Sequence, residues 1–116
     1  MLPKKFRATR EETQLVKSQD TNFRNTYLKL QVLKKKDKHI TKWTIKVTKK
    51  AAPKATARNR CKRLISEVIQ KKLKNIKPGF ILRLVLYRVP TSTNLGVFKK
   101  EVETLIERAG VIETNP

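Results

Sequence analysis

The sequence is poor in the residues from which catalytic sites are usually built. It has one cysteine, one histidine and nine carboxylates among 116 residues, against 29 lysines and arginines. Seven of the carboxylates lie in the first 20 or the last 16 residues, and no spacing suggests an acid–base pair. Cys61 and His39 alone cannot form a zinc site, and the three glycines form no phosphate-binding loop. Catalysis by the protein's own side chains is therefore not expected, nor is a cofactor bound by the protein itself.

A single cysteine also excludes an internal disulfide, and it is typical of a protein of the reducing cytosol, so we expect a cytoplasmic location. Cys61 lies on an apolar stripe and is expected to be a small buried hydrophobe rather than a reactive thiol. His39 is expected to be a solvated residue of a lysine-rich turn. The longest apolar run, "FILRLVLY", is interrupted by Arg83 and is too short to span a bilayer, and we expect neither a membrane partner nor a secretory signal.

Positive charge is abundant, with a formal net charge of +20. Residues 21–100 carry 23 basic and two acidic residues, so the charge belongs to the middle of the chain rather than to a tail. An apolar fraction of 38% is too high for a disordered basic segment. The length indicates a single domain over residues 1–116. Self-repulsion in such a domain favours an anionic partner that screens it.

The first half of the chain predicts one short helix and two strands. Thr9 and Glu12 have the spacing of a capping box, which predicts a weakly anchored helix within "TREETQLVKSQD". Two alternating segments follow, with inward positions at Leu28, Leu30 and Val32 and then at Trp43, Ile45 and Val47. The short polar link "KKKDKH" between them favours an antiparallel hairpin, and its lysines are interpreted as a solvated turn.

The second half predicts a long helix, a buried strand and a final helix. Pro53 precedes a helix over residues 55–73, whose apolar positions are Cys61, Leu64, Ile65, Val68 and Ile69. "FILRLVLYRV" fits a central strand covered on both faces, and Gly110 ends the last helix. The predicted fold is α+β, a single-domain α/β sandwich with a small sheet covered by helices.

The start of the long helix, "TARNRCKRLISEV", carries four cations in six residues. Cations are unfavourable at the N-terminus of an isolated helix, because the helix dipole favours anions there. The arrangement is reasonable if a phosphate backbone binds at this end. The predicted exposed face of the helix consists of Asn59, Lys62, Arg63 and Ser66. Arg58 and Arg60 flank it, and the preceding segment adds Lys46, Thr48, Lys49, Lys50 and Lys54.

These features predict a nucleic-acid-binding surface. A sheet with polar outward residues beside a basic helix suits single-stranded RNA, and the elements do not form a helix-turn-helix pair. Tyr27 either stacks on a base or closes the sheet edge. A ribosomal or RNA-chaperone protein would use the same basic face, and an acidic protein or an anionic membrane remains an alternative partner.

The same residues resemble a known family, the protein component of bacterial ribonuclease P. The resemblance rests on Thr48-Lys49-Lys50, a short linker, and then "RNRCKRL" from Arg58 to Leu64. The segments "LPKKFR", "KPGFILRLVLYRVP" and "FKKEVETLIERAG" are similar to the start, the central strand and the last helix of that family. The departures are Ser66, where a further arginine is common, and a first helix without aromatic residues.

The resemblance implies an αβββαβα order with a left-handed crossover through the long helix. It implies that the protein binds a catalytic RNA, which with Mg²⁺ removes the 5′ leader from precursor tRNA, and that the protein breaks no bond itself. The residues implied in RNA contact are Lys49, Lys50, Arg58, Asn59, Arg60, Lys62 and Arg63. Those suggested for the leader, in a groove between this helix and the sheet, are Tyr27, Lys46 and Thr48.

Overall fold

The elements of the protein follow the expected αβββαβα order. In the computed structural model, which describes residues 2–18, 22–36, 39–90 and 94–111, the helices are α1 (Arg10–Lys17), α2 (Ala55–Lys72) and α3 (Leu95–Ala109). The strands are β1 (Asn22–Arg24), β2 (Leu28–Lys34), β3 (Lys42–Val47) and β4 (Phe80–Leu86). Short 3₁₀ turns occupy Lys4–Phe6 and Leu73–Asn75. Asp37 and Lys38 of the predicted lysine-rich turn lie outside the described residues.

The four strands form one sheet in the order β1–β2–β4–β3. β4 is antiparallel to β2 along its whole length and parallel to β3. The predicted hairpin between β2 and β3 is therefore wrong, because β4 lies between these two strands. Alternation in a sequence indicates which face of a strand is buried, but it does not indicate which strand lies beside it.

The parallel pair β3 and β4 is connected through α2, as the resemblance implies for the crossover. A parallel pair needs a connection that returns the chain to the same end of the sheet, and a helix commonly supplies it. The left hand of this crossover stays a prediction.

One face of the sheet packs against α2 and α3 and forms the hydrophobic core. It contains the predicted inward residues of β2 and β3 and the alternate leucines of β4, Leu82, Leu84 and Leu86. From α2 the core receives Cys61, Ile65, Val68 and Ile69, all at most 3% exposed. The apolar stripe predicted for α2 is thus confirmed, and Gly110, at φ 70°, ends α3 in the left-handed conformation as expected.

The other face of the sheet is covered by α1 and is largely polar. Gln31 lies between Lys17 of α1 and Arg83 of β4: its side-chain amide donates to the Lys17 carbonyl at 3.3 Å, and its Oε1 accepts from the guanidinium at 2.6 Å. The hydroxyls of Thr13 and Thr44 share a hydrogen bond of 2.8 Å. Val16 is the one buried residue of α1, whereas Leu15 is 55% exposed. The weak apolar anchoring predicted for this helix is therefore observed.

Within the described ranges, no helix of the protein is both long and apolar enough to cross a membrane.

Candidate nucleic-acid interface

The first turn of α2 has neither a side-chain cap nor an acidic residue. Lys54 occupies the N-cap position with extended backbone angles, φ −83° and ψ 134°, and its carbonyl accepts the first helical hydrogen bond from Arg58 N at 3.1 Å. The amide groups that begin a helix have no partners within it and attract anions. The side chain of Lys54 makes no hydrogen bond to these amide groups, and its positive charge adds to their attraction for anions. The N-terminal end of α2 therefore suits a phosphate group.

The turn before α2 presents two further lysines. The Thr48 hydroxyl accepts a hydrogen bond from Ala51 N at 3.1 Å, and the Thr48 carbonyl accepts one from Ala52 N at 3.0 Å. Such a local threonine turn fixes the backbone between these residues. Lys49 and Lys50 lie at its tip and are exposed, which allows both ammonium groups to reach a phosphate chain.

Arg58 fixes this turn to the helix. Its NH1 group donates to the carbonyls of Ala52 at 3.0 Å and Pro53 at 2.9 Å. Arg58 is half-buried, so this side chain, which the resemblance implies in RNA contact, also serves as a structural clamp. The two bonds hold the turn that carries Lys49 and Lys50 in a fixed position relative to the start of α2.

The remaining residues implied in RNA contact are distributed along the outer side of α2. Asn59, Arg60 and Arg63 are exposed, and Lys62 is half-buried. Together with Lys49, Lys50, Lys54 and Arg58 they form a surface that we call the basic surface. Among the ion pairs of the described residues, Lys35 and Lys42 pair with Glu12, and Lys72 pairs with Glu103. These two carboxylates are therefore engaged with cations outside the basic surface.

A groove lies beside the basic surface, between α1, β3 and α2. Its volume is about 400 Å³, within the range of small-ligand sites. Trp43, Thr44 and Ile45 form the β3 side, and Lys62 and Ser66 form the α2 side. The opposite wall comes from α1 and the segment before it, and the whole lining includes four cations, Arg7, Arg10, Lys17 and Lys62.

Two buried polar groups belong to the residues that line this groove. Ser66 Oγ and Trp43 Nε1 have no hydrogen-bond partner among the described residues. An unpaired buried polar group is costly unless a ligand or water satisfies it. Both side chains therefore carry a polar group beside the groove that lacks a partner among the described residues.

The prediction that Ser66 lies on the exposed basic face of α2 is wrong. Ser66 is 1% exposed, although its spacing from Asn59 and Lys62 places it on their side of an ideal helix. Leu2 and Ile45 line the same groove as Ser66. The position at which an arginine would be common in the family is therefore enclosed here.

The three residues suggested to contact the leader have different environments in the structure. Lys46 is exposed and lies on the same side of β3 as the groove residue Thr44. Thr48 is half-buried, and its hydroxyl accepts a hydrogen bond from Ala51 N within the turn before α2. Tyr27 packs partly buried against the hydrophobic core and is absent from the residues that line the groove. None of the three residues lines the groove, but the exposed Lys46 directly follows the lining residue Ile45 in β3.

Sequence reasoning missed the contribution of the N-terminal region to this groove. Arg10, Gln14 and Lys17 line it from α1, and Arg7 lines it from the preceding segment. The three helical residues are spaced at i, i+4 and i+7, which places them on one helix face. That spacing is visible in the sequence and would have indicated a second cationic wall.

Neither Cys61 nor His39 forms part of a reactive cluster in the described ranges. Cys61 is 3% exposed, and burial raises the pKa of its thiol, against the opposing effect of the nearby Arg60 charge. Cys61 is therefore the buried hydrophobe that the sequence predicts. His39 is exposed. The same ranges hold no group of three or more histidine, cysteine or carboxylate side chains able to bind a metal.

The fold defines a class of single-domain α+β proteins of which solved structures are known. The ribonuclease P protein of Staphylococcus aureus superposes with a TM-score of 0.81 at 17% identity, covering 93% of this chain and 98% of that one. The ribonuclease P protein of Thermotoga maritima superposes with a TM-score of 0.73 at 22% identity, covering 88% and 96%. At such low identity these similarities establish the fold.

Sequence comparison establishes the family. The family model described as Ribonuclease P matches residues 2–110. The ribonuclease P protein component of Synechocystis sp. is 34% identical over 113 residues, which are 97% of this chain and 91% of that protein. The corresponding protein of Pseudanabaena sp. is 28% identical over 116 residues, or 99% and 100%. The chain belongs to the ribonuclease P protein family, and 5′ maturation of tRNA is the role that fits this family.

Proposed function

We propose that this chain is the non-catalytic subunit of a ribonuclease P in which the RNA carries out the cleavage. The basic surface binds the catalytic RNA, and the groove between α1, β3 and α2 holds the single-stranded 5′ leader of precursor tRNA. The observation that carries this proposal is the start of α2, where an uncapped helix end adjoins exposed cations and has no acidic residue in its first turn.

Family membership supports the RNA partner, and the charge distribution supports the mode of contact. Arginine supplies paired hydrogen bonds to phosphate oxygens, and lysine supplies a compact positive charge. Because the basic surface lies next to the groove, one protein can contact the catalytic RNA and the leader together. This bridging adds protein–phosphate contacts to substrate binding and reduces the need for Mg²⁺ to screen repulsion between the two RNAs.

The side chains that line the groove support a role in binding the RNA strand rather than in cleaving it. The groove is lined by cations and by hydroxyl, indole and amide groups, which bind and orient a strand. No carboxylate lines it, so the two-carboxylate arrangement that commonly holds catalytic metals is not offered there by the described residues. Mg²⁺ in this proposal is bound by the catalytic RNA.

Reconstitution tests the proposed function directly. The purified chain is added to a catalytic ribonuclease P RNA at low Mg²⁺ concentration, and cleavage of the 5′ leader from precursor tRNA is measured. We expect the chain to restore cleavage that the RNA alone performs poorly under these conditions. No stimulation would contradict the proposal, and cleavage by the chain without RNA would contradict its non-catalytic role.

Binding of the catalytic RNA should depend steeply on salt and on Arg60. If about five phosphates are neutralised, the log–log slope of affinity against salt is about −3 to −4. Arg60→Ala should weaken binding about tenfold without changing thermal unfolding, since Arg60 is exposed. Lys100→Ala, at an exposed position of α3, is the matched control and should bind normally. Equal affinity for unrelated structured RNAs would favour a ribosomal or RNA-chaperone role instead.

A further inference from the structure

A second pocket lies on the other side of the first turns of α2 and is almost entirely apolar. Its volume is about 360 Å³. Its walls are formed by the turn before the helix, the first turns of α2 and Val89 from the segment after β4. The residues that line it are Ala51, Ala52, Pro53, Lys54, Ala57, Arg60, Cys61 and Val89. None of the residues that line the groove belongs to this pocket.

The hydrogen bonds of the surrounding backbone hold this pocket open. The Thr48 turn fixes Ala51 and Ala52, and Arg58 NH1 binds the carbonyls of Ala52 and Pro53. Arg58 therefore uses its donors to hold one wall of the pocket and does not line it. A pocket that is already formed loses little conformational entropy when a ligand enters.

The rim of the pocket is cationic, whereas its interior is not. Lys54 and Arg60 stand among the lining residues, and the exposed Lys49 and Lys50 lie directly before Ala51 in the fixed turn. In the interior, Cys61 is buried, and its raised pKa keeps the thiol neutral. An apolar cavity surrounded by cations matches a ligand with a flat, weakly polar body attached to a phosphate chain.

We propose that this pocket receives one unstacked nucleobase of the bound RNA, whose adjoining phosphates the rim cations hold. The inference rests on the proposed function, because it assumes that RNA lies on the basic surface. Proteins that bind single strands commonly pack bases against apolar or aromatic side chains. The lining offers few groups that could read base edges, so the pocket accepts any of the four bases with little preference.

Ala57 provides a way to fill the pocket without disturbing the core. It is exposed, lies on α2 and lines the pocket, so Ala57→Phe places a ring in the cavity. Ala55→Phe makes the same change two residues earlier, at an exposed helical position that does not line the pocket. Both variants should unfold at the temperature of the unaltered protein, which shows that any binding effect is local.

Two RNA ligands separate base contacts from phosphate contacts. One is a short single-stranded oligouridine, and the other has the same length and phosphate number but abasic sugars. The unaltered protein should bind oligouridine about tenfold more tightly than the abasic strand, as expected for one packed base. Ala57→Phe should reduce oligouridine affinity to the abasic value and leave abasic binding unchanged. Ala55→Phe should preserve the tenfold difference.

Three results would overturn the inference. They are equal binding of the two ligands by the unaltered protein, no effect of Ala57→Phe, and an equal loss for both ligands in that variant. A partner protein in the pocket would give the second result. The salt slope for the catalytic RNA tests the basic surface separately, so a steep slope combined with any of these results would retain the proposed function and reject the base pocket.

Discussion

The helices α1 and α2 begin in opposite ways. α1 has a complete capping box, in which the Thr9 hydroxyl accepts from Glu12 N at 3.1 Å and Glu12 Oε1 accepts from Thr9 N at 2.9 Å. Glu11 and Glu12 also place negative charge in its first turn, where the helix dipole favours it. α2 begins at Lys54 with no side-chain cap and no acidic residue in its first turn.

The better-capped helix is the one with less apolar anchoring. α1 has eight residues and buries Val16, whereas α2 has 18 residues and buries an apolar stripe in the core. Local signals therefore stabilise α1, and tertiary packing stabilises α2. Because the core holds α2 in place, its N-terminus can forgo a cap and keep its amide groups and cations for an anionic partner.

Removing part of the α2 stripe should have the largest effect on this comparison. Ile69 is fully buried, and Ile69→Ala should lower the free energy of unfolding by about 2–5 kcal/mol, through lost burial and the cavity left behind. Chemical denaturation measures this change. Lys71→Ala, at an exposed position two residues along the same helix, should change stability by less than about 0.5 kcal/mol. Similar values for the two variants would show that the core does not anchor α2.

Adding a cap to α2 and removing the cap of α1 should change stability by intermediate amounts and in opposite directions. Lys54→Ser supplies the missing cap, and the backbone angles there already suit a capping residue. It should raise stability by about 0.5–1 kcal/mol while weakening RNA binding through the lost charge.

Thr9→Ala should lower stability by about 1 kcal/mol and affect RNA binding less than Lys54→Ser does. Thermal unfolding and RNA titration of both variants test the pair. If Lys54→Ser improved stability and RNA affinity together, the uncapped end of α2 would have no role in binding anions.

Acid should weaken the docking of α1 by a smaller amount. Burial raises the pKa of Glu12, but the hydrogen bonds from Thr9 and Lys42, together with the Lys42 charge, outweigh it and lower the pKa below its ordinary value of 4.5. The stabilisation is therefore fully present above pH 4.5 and is lost as the pH falls through the lowered, folded-state pKa.

A Glu12→Gln variant, compared with the unaltered protein by thermal unfolding over a pH series, isolates this contribution. The difference in unfolding temperature should shrink on acidification. A constant difference would exclude the carboxylate charge as its source.

The sequence predicted the local features of the fold well because they depend on neighbouring residues. The capping box at Thr9, the apolar stripe of α2 and the exit of α3 at Gly110 each follow from spacing within one or two turns. The exposure of Asn59, Arg60 and Arg63 follows from the same periodicity. The sequence pattern predicted two strands before α2, and the family resemblance implied a third. The additional strand is β1, whose three residues have no apolar alternation of their own.

Features that depend on distant segments were missed or wrong. The position of β4 between β2 and β3 depends on pairing across some 50 residues, which alternation does not encode. The burial of Ser66 depends on residues that line the groove from β3 and the N-terminal segment. The clamp from Arg58 to the Ala52 and Pro53 carbonyls depends on the path of a turn, so charge alone suggested a phosphate contact there.

The position of β4 also has a consequence for biosynthesis. The strand on which both β2 and β3 pair is Phe80–Leu86, which the ribosome makes after both of them and after α2. Until that segment leaves the exit tunnel, β2 and β3 both lack the strand that pairs with them in the finished sheet, and the apolar side of α2 has no finished sheet to cover. Synthesis and emergence of residues 80–86 are thus a condition for closing this sheet, and we expect a product truncated before residue 80 to be prone to aggregation.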